Sequence, residues 1–106
     1  MWQEAFGESE LKDNEIKGIS INGRPLLFIK KNGNIHSLDL YCTHEQTSLA
    51  EGFIEKCNIV CSNHFASFDI KTGNVTAGPD GDDTHMKNLN AYKTKVENGK
   101  ILVDIP

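Results

Sequence analysis

The sequence predicts an all-β protein, a sandwich or barrel of short antiparallel strands. Turn-forming pairs recur along the chain, at Asn22-Gly23, Asn32-Gly33, Thr72-Gly73 and Asn98-Gly99. Asn-Gly is a strong hairpin signal because both central residues of a type I′ turn need positive φ, which Asn and Gly tolerate. No stretch of ten or more residues has a convincing helical periodicity. Short strands separated by such turns are typical of all-β folds.

The segments beside these turns have the composition of strands. In chain order they are residues 19–21, 26–29, 35–40, 68–70, 74–76, 91–96 and 101–105. In the last of them Ile101, Val103 and Ile105 alternate with Leu102 and Asp104, which indicates a sheet with one buried face. The best helical candidate, 45–51, is long enough for only one or two turns.

Length and composition predict one soluble domain spanning residues 1–106, with 38% hydrophobic and 25% charged residues. No apolar run reaches the roughly 18 to 20 residues needed to cross a bilayer, and the acidic N-terminus lacks the features of a secretory signal. We therefore expect a cytoplasmic protein without a membrane partner. The net charge of −4 argues against nucleic acid as a partner and favours a basic protein.

Two short motifs combine sulfur and imidazole ligands: Cys42-Thr43-His44 and Cys61-Ser62-Asn63-His64. A hairpin over residues 49–60 could bring the two loops face to face. Thiolate with imidazole suits zinc or iron and is a poor ligand set for calcium or magnesium. Structural zinc sites usually pair like ligands on one loop, whereas each loop here mixes the two types. A [2Fe–2S] centre with two cysteines on one iron and two histidines on the other needs this mixture.

The motifs resemble the cluster-binding motif of Rieske proteins, and EGFIE, SFDIKTG and AGP resemble segments of Rieske-type ferredoxins from bacterial and archaeal oxygenase systems. The resemblance implies a [2Fe–2S] cluster with four ligands: Cys42, His44, Cys61 and His64. It also implies an antiparallel β-sandwich in which a cluster-binding subdomain, about 41–78, is inserted into a base domain, about 1–40 and 79–106. In this family a proline-containing loop covers the cluster, and Gly78-Pro79 resembles it.

This resemblance implies a one-electron carrier and not an enzyme, because the chain is too short to hold a second catalytic site. A ferredoxin reductase would supply the electron, and a terminal oxygenase or similar acceptor would receive it. The acidic residues Asp80, Asp82 and Asp83 would rim the docking face. Two alternatives stay open: a Rieske-like small subunit of a multi-component reductase such as nitrite reductase, and a zinc-stabilised interaction domain.

Departures from the family pattern carry further expectations. Ala66 and Phe68 stand where quinol-oxidising relatives have a serine and a tyrosine that donate hydrogen bonds to the cluster sulfurs. Without these donors we expect a potential near −150 mV, at the low end of the Rieske range, which extends to about +300 mV. Thr47 and Asn63 replace the two cysteines of the disulfide in those relatives. Phe65 replaces a glycine, which predicts a loop backbone without positive φ at this position.

Overall fold

The computed structural model describes residues 1–43, 46–63, 65–78 and 86–106, and in these parts the chain forms strands, as the turn pattern predicts. The strands are β1 (Trp2–Gly7), β2 (Ile16–Ile21), β3 (Arg24–Lys31), β4 (Asn34–Asp39), β5 (Phe53–Glu55), β6 (Asn58–Val60), β7 (Ser67–Asp69), β8 (Val75–Ala77), β9 (Ala91–Tyr92), β10 (Thr94–Glu97) and β11 (Lys100–Asp104). Two single-turn 3-10 helices cover Glu8–Glu10 and Leu49–Glu51. In the described parts of the chain, no helix has the length and apolar character that crossing a bilayer requires.

The strands form three antiparallel sheets, with the orders β1-β11-β10, β2-β3-β4-β9 and β5-β6-β7-β8. The first two sheets combine strands from both ends of the chain. The third sheet is built from the continuous segment 53–77. This architecture is the all-β, antiparallel fold that the sequence predicts. We continue to propose a division near residues 41 and 78, because the third sheet lies within those limits.

Three of the four turn predictions are confirmed in detail. The φ angles are 51° and 79° at Asn22 and Gly23, and the pairs at Asn32 and Asn98 match them closely, as type I′ turns require. The Thr72-Gly73 pair differs, because only Gly73 has a positive φ, of 79°. Here the Asp69 carboxylate accepts hydrogen bonds from the backbone N–H groups of Lys71 and Thr72, at 2.8 and 3.0 Å. The loop between β7 and β8 is therefore longer than a two-residue hairpin.

Strand β1 was not predicted from the sequence. Its residues, WQEAFG, include no β-branched side chain, and glutamate is uncommon in strands. Pairing with β11 holds it in place, together with the buried ring of Phe6, which meets Phe28 edge to face with ring centroids 5.1 Å apart. The α-amino group of Met1 also donates to Asp104 Oδ1, at 2.7 Å. Tertiary contacts therefore outweigh the weak local preference of this segment.

Strand β3 is buried on both faces and lies between two hydrophobic cores. Leu27 and Ile29 pack into the first core, whereas Leu26 and Phe28 pack into the second. The second core joins the β1-β11-β10 sheet to the face of β3 that carries Phe28. The first core contains residues from the third sheet and from both cysteine loops. A strand with two covered faces explains the unbroken apolar run LLFI.

Two glycines with the same φ angle differ in the space around them. A Cβ atom on Gly73 would lie 2.4 Å from the carbonyl oxygen of Leu89, whereas one on Gly23 would meet no atom within 4 Å. We expect Gly23→Ala to cost about 1 to 2 kcal/mol, from backbone strain alone. Gly73→Ala should cost about 3 kcal/mol or more, because the backbone must also shift. Urea unfolding of the two variants measures the difference, and equal midpoints would contradict the predicted clash.

Candidate metal centre

Cys42 and Cys61 begin two loops of matching construction. Cys42 N–H donates to the carbonyl of Thr47, and Cys61 N–H donates to the carbonyl of Ala66, each at 2.8 Å. In both loops the cysteine therefore bonds the residue five positions later. Both cysteine side chains are only 1% exposed, and both belong to the first hydrophobic core. The fold thus holds two thiols in one apolar environment, on two equivalent turns.

Each loop also contains a non-glycine residue in the left-handed region, four positions after its cysteine. Gln46 and Phe65 both have φ near 60°. The expectation that Phe65 excludes positive φ is therefore wrong. The left-handed conformation costs a non-glycine residue about 1 to 2 kcal/mol, and the loop-closing bond from Cys61 to Ala66 holds the chain in it. The Phe65 ring is 58% exposed, so core packing does not compensate for this strain.

The two predicted imidazole ligands, His44 and His64, lie outside the described residues. The same holds for Pro79 of the proposed covering loop and for Asp80, Asp82 and Asp83 of the proposed acidic rim. The structure therefore places the sulfur half of the predicted ligand set. Cys42 and Cys61 meet the requirement of a soft metal for thiolate ligands in a dry site.

The segment 86–90, which we call the strap, ties the first cysteine loop to the rest of the fold. Thr43, between the two predicted ligands of that loop, donates its hydroxyl to the carbonyl of Lys87 at 2.7 Å. Leu89 N–H donates to the carbonyl of Gly73 at 2.8 Å, and Asn90 N–H donates to Asp39 Oδ2 at 2.8 Å. The strap therefore connects the first loop, the β7–β8 turn and the end of β4.

The Asp39 carboxylate anchors the strap from the base of the fold. It also accepts a hydrogen bond from the hydroxyl of Tyr92 on β9. Burial and this bond raise the pKa of Tyr92 above its ordinary value, so the phenol stays protonated as a donor throughout the neutral range. None of these contacts was predicted, because they join residues far apart in the sequence.

We expect Thr43→Val to loosen the first cysteine loop. The change leaves the carbonyl of Lys87 without its side-chain donor and should cost about 1 kcal/mol, because the contact is partly exposed to water. Loss of the cofactor to a chelator should become about fivefold faster. Thr43→Ser keeps the hydroxyl and is the matched control. Equal rates in the two variants would show that the hydroxyl does not hold the loop.

The chain that follows the second cysteine motif contributes two apolar side chains to the first core. Ala66 and Phe68 are both fully buried, and neither carries a hydroxyl. The hydroxyl of Ser67, between them, lies 2.8 Å from that of Thr76 on β8. Ser67 is therefore already bonded within the third sheet. Neither Ala66 nor Phe68 can donate a side-chain hydrogen bond to a cluster sulfur.

The third cysteine lies apart from this site. Cys57 is exposed in the β5–β6 turn, and strand β6 separates it from Cys61. Four residues of extended chain span about 13 Å. Cys57 therefore cannot join Cys42 and Cys61 around one metal centre.

Comparison with known proteins gives a consistent family assignment. Residues 1–93 match the family described as the Rieske [2Fe-2S] domain. The ferredoxin component of the naphthalene 1,2-dioxygenase system of Pseudomonas putida is 28% identical over 104 residues, covering 98% of this chain and 95% of that protein. The ferredoxin component of the p-cumate 2,3-dioxygenase system of Pseudomonas putida is 33% identical over 98 residues, covering 91% of this chain and 79% of that protein.

A solved structure of Sphingomonas yanoikuyae B1 ferredoxin has the same fold, with a TM-score of 0.87, 24% identity and complete coverage of both chains. The match to the family extends over both cysteine loops and most of the base of the fold. It favours iron and sulfide over the zinc alternative. The chain belongs to the family of Rieske [2Fe–2S] domains, and its cofactor is a [2Fe–2S] cluster.

Proposed function

We propose that this protein is the ferredoxin component of a multi-component oxygenase system, a one-electron carrier between a ferredoxin reductase and a terminal oxygenase. The observation that carries this proposal is the pair of buried thiols on two matching loops. The dioxygenase ferredoxins support it, because they match this chain over nearly its whole length. They are carrier components of similar size, which favours a carrier over a subunit of nitrite reductase. We further propose a cytoplasmic location, because the acidic N-terminus lacks the features of a secretory signal.

We propose Cys42 and Cys61 as the ligands of one iron, and His44 and His64 as the ligands of the other. Two observations support this assignment. Each cysteine opens a loop that returns to it through a backbone hydrogen bond, and both cysteines belong to the same buried core. The burial of both cysteines supplies the water-free environment that a thiolate-bound centre needs. When bound, the cluster supplies a site that accepts and releases one electron at a time.

We propose that the partner proteins dock over the ends of the two cysteine loops. Tyr41 comes directly before Cys42 and is 43% exposed, and Phe65 follows the second motif and is 58% exposed. Exposed aromatic rings are common anchors of protein interfaces. The backbone strain at Phe65 also supports a docking role. Glycine would adopt this conformation without strain, and the exposed ring of Phe65 is not stabilised by packing in the core. The proposed acidic rim at 80–83 would add charge attraction to a basic partner.

We expect Phe65→Ala to weaken docking without changing the cluster. Alanine keeps the strained backbone and removes only the exposed ring. The apparent affinity for the terminal oxygenase should fall about 5- to 30-fold, as for a typical interface anchor. Stopped-flow reduction of the oxygenase measures the effect, with the midpoint potential as a check on the cluster. Val96→Ala, at an exposed apolar position on β10, is the control. An unchanged rate in Phe65→Ala would contradict the proposed docking face.

A redox-poised EPR titration of anaerobically purified protein tests the function itself. A rhombic signal with the low average g value of mixed cysteine and histidine ligation, appearing near the low end of the Rieske range, would support the carrier. The same signal at high potential would keep the cluster and move the protein toward quinol-linked chains. A protein that stays silent under strong reductant, and contains zinc instead of iron, would overturn the proposal.

A further inference from the structure

A small cleft lies between the sheet β2-β3-β4-β9 and the third sheet, at the end of β6 away from Cys61. The β3–β4 hairpin forms one wall, with Lys31, Asn34 and His36, and the turns after β5 and β7 form the other, with Cys57 and Lys71. Its volume is about 100 Å³. Pockets for drug-sized molecules measure about 300 to 1,000 Å³, so this cleft suits a much smaller ligand.

The cleft concentrates positive charge on an acidic protein. The chain carries a net charge of −4, yet Lys31 and Lys71 stand on opposite walls of one small cleft. In the part of the chain that the structure describes, neither lysine forms an ion pair with a carboxylate. The contact of Lys31 there is a long hydrogen bond from its Nζ to Asn14 Oδ1, at 3.4 Å. Within the described residues, therefore, no carboxylate neutralises either ammonium group by a direct contact.

Among the described residues, two carboxylates beside the cleft accept hydrogen bonds from backbone N–H groups. The Asp69 carboxylate accepts the N–H groups of Lys71 and Thr72, and the Asp13 carboxylate accepts the N–H of Gly33 at 2.9 Å. Each is therefore partly compensated by backbone donors. The charges around the cleft change the pKa of His36, which is partly buried there. Burial and the positive charge of Lys71 lower the pKa of His36, and the opposing effect of Asp69 is smaller.

We propose that this cleft is a binding site for a small oxyanion, of the phosphate or carboxylate class. The ammonium groups of Lys31 and Lys71 would flank the anion from opposite walls, and the imidazole of His36 and the amide of Asn34 would supply further donors. The site is independent of the cluster, because a full strand separates it from Cys61. It also stands independently of the proposed oxygenase system.

The test is an NMR titration of the oxidised holoprotein with inorganic phosphate, at constant ionic strength and in a buffer without oxyanions. We expect saturable shifts of the backbone amides of Asn34 and Lys71. Lys31→Gln and Lys71→Gln should each weaken binding about fivefold. Lys100→Gln, an exposed lysine on β11, is the matched control and should leave binding unchanged. Acetate in place of phosphate separates the two ligand classes, and saturation by either anion supports the site.

The proposal also predicts a pH dependence. A bound anion favours the protonated imidazole, so binding should tighten as the pH falls through the pKa of His36. Lys71, Asp69, Lys31 and Cys57 are the charged or titratable groups around this histidine. Sulfate is the probe for this series because its own charge does not change. His36→Gln should remove the pH dependence and retain binding at neutral pH.

Two results would overturn the site. One is a set of shifts that grow linearly with phosphate and never saturate. The other is an equal loss of binding in Lys100→Gln and in the two cleft variants, which would indicate general charge screening.

The exposed thiol of Cys57 offers a second measurement. An anionic aromatic disulfide should modify Cys57 faster than a neutral one, forming a mixed disulfide and releasing one thiolate, and phosphate should slow only the anionic reagent.

Discussion

Replacing Cys61 with alanine should abolish the cluster, whereas replacing Cys57 with alanine should leave it intact. The two cysteines lie at opposite ends of the same short strand, β6, so the comparison holds the local fold nearly constant. Cys61 is buried in the core that also contains Cys42, and Cys57 is exposed in a turn. We expect the iron and sulfide content of Cys61→Ala to fall to background, with loss of the visible absorption bands. Cys57→Ala should keep the full content of both.

The same assay decides the imidazole ligands. His44→Ala and His64→Ala should also lose the cluster, whereas His36→Ala should keep it, because His36 lies on β4 in the cleft beyond Cys57. A protein that retained its iron after loss of Cys61, or that lost it after loss of Cys57, would contradict the proposed ligand set. Full iron content in both His44→Ala and His64→Ala would also contradict the proposed ligand set. Each of these outcomes is read from metal and sulfide analysis, without any need for the partner proteins.

The turns and most strands were predictable because their causes are local. Asn-Gly turns need positive φ at two consecutive residues, and this need is visible in the sequence at Asn22, Asn32 and Asn98. The apolar run of β3 also indicated burial, although its position between two cores became evident only from the packing. Strand β1 left no such signal, because its pairing with β11 joins the two ends of the chain.

The candidate site also combines local features, which the sequence predicts, with long-range contacts, which it does not. The spacing of Cys42 and Cys61 from the histidines indicated the chemistry, since the mixed ligand types on each loop are a local feature. The bond from Thr43 to the strap joins residues 44 positions apart and could not be predicted. Phe65 was mispredicted for a related reason. Its intrinsic preference opposes positive φ, but the closure of the loop from Cys61 to Ala66 imposes that conformation.

The largest change in potential should come from restoring a hydroxyl donor beside the cluster. Phe68 is fully buried in β7, between its partners Ile59 and Val75. The resemblance to quinol-oxidising Rieske proteins implies that Phe68 stands where they have a tyrosine. In Phe68→Tyr the new hydroxyl lies in an apolar core, where an unpaired donor is costly, so it should bond to a cluster or cysteine sulfur. A bond to sulfur is stronger in the reduced, more negative state.

We therefore expect the midpoint potential of Phe68→Tyr to rise from its starting value, predicted near −150 mV. A bond that is about 1.4 kcal/mol stronger to the reduced state raises a one-electron potential by about 59 mV. Ala66→Ser should act in the same direction. Phe53→Tyr is the control, because that ring is exposed on β5 and its hydroxyl would meet water. An equal shift in Phe53→Tyr and Phe68→Tyr would contradict a bond to sulfur, and so would an unchanged potential in Phe68→Tyr. A selective rise would show that buried apolar residues on β7 set the low potential.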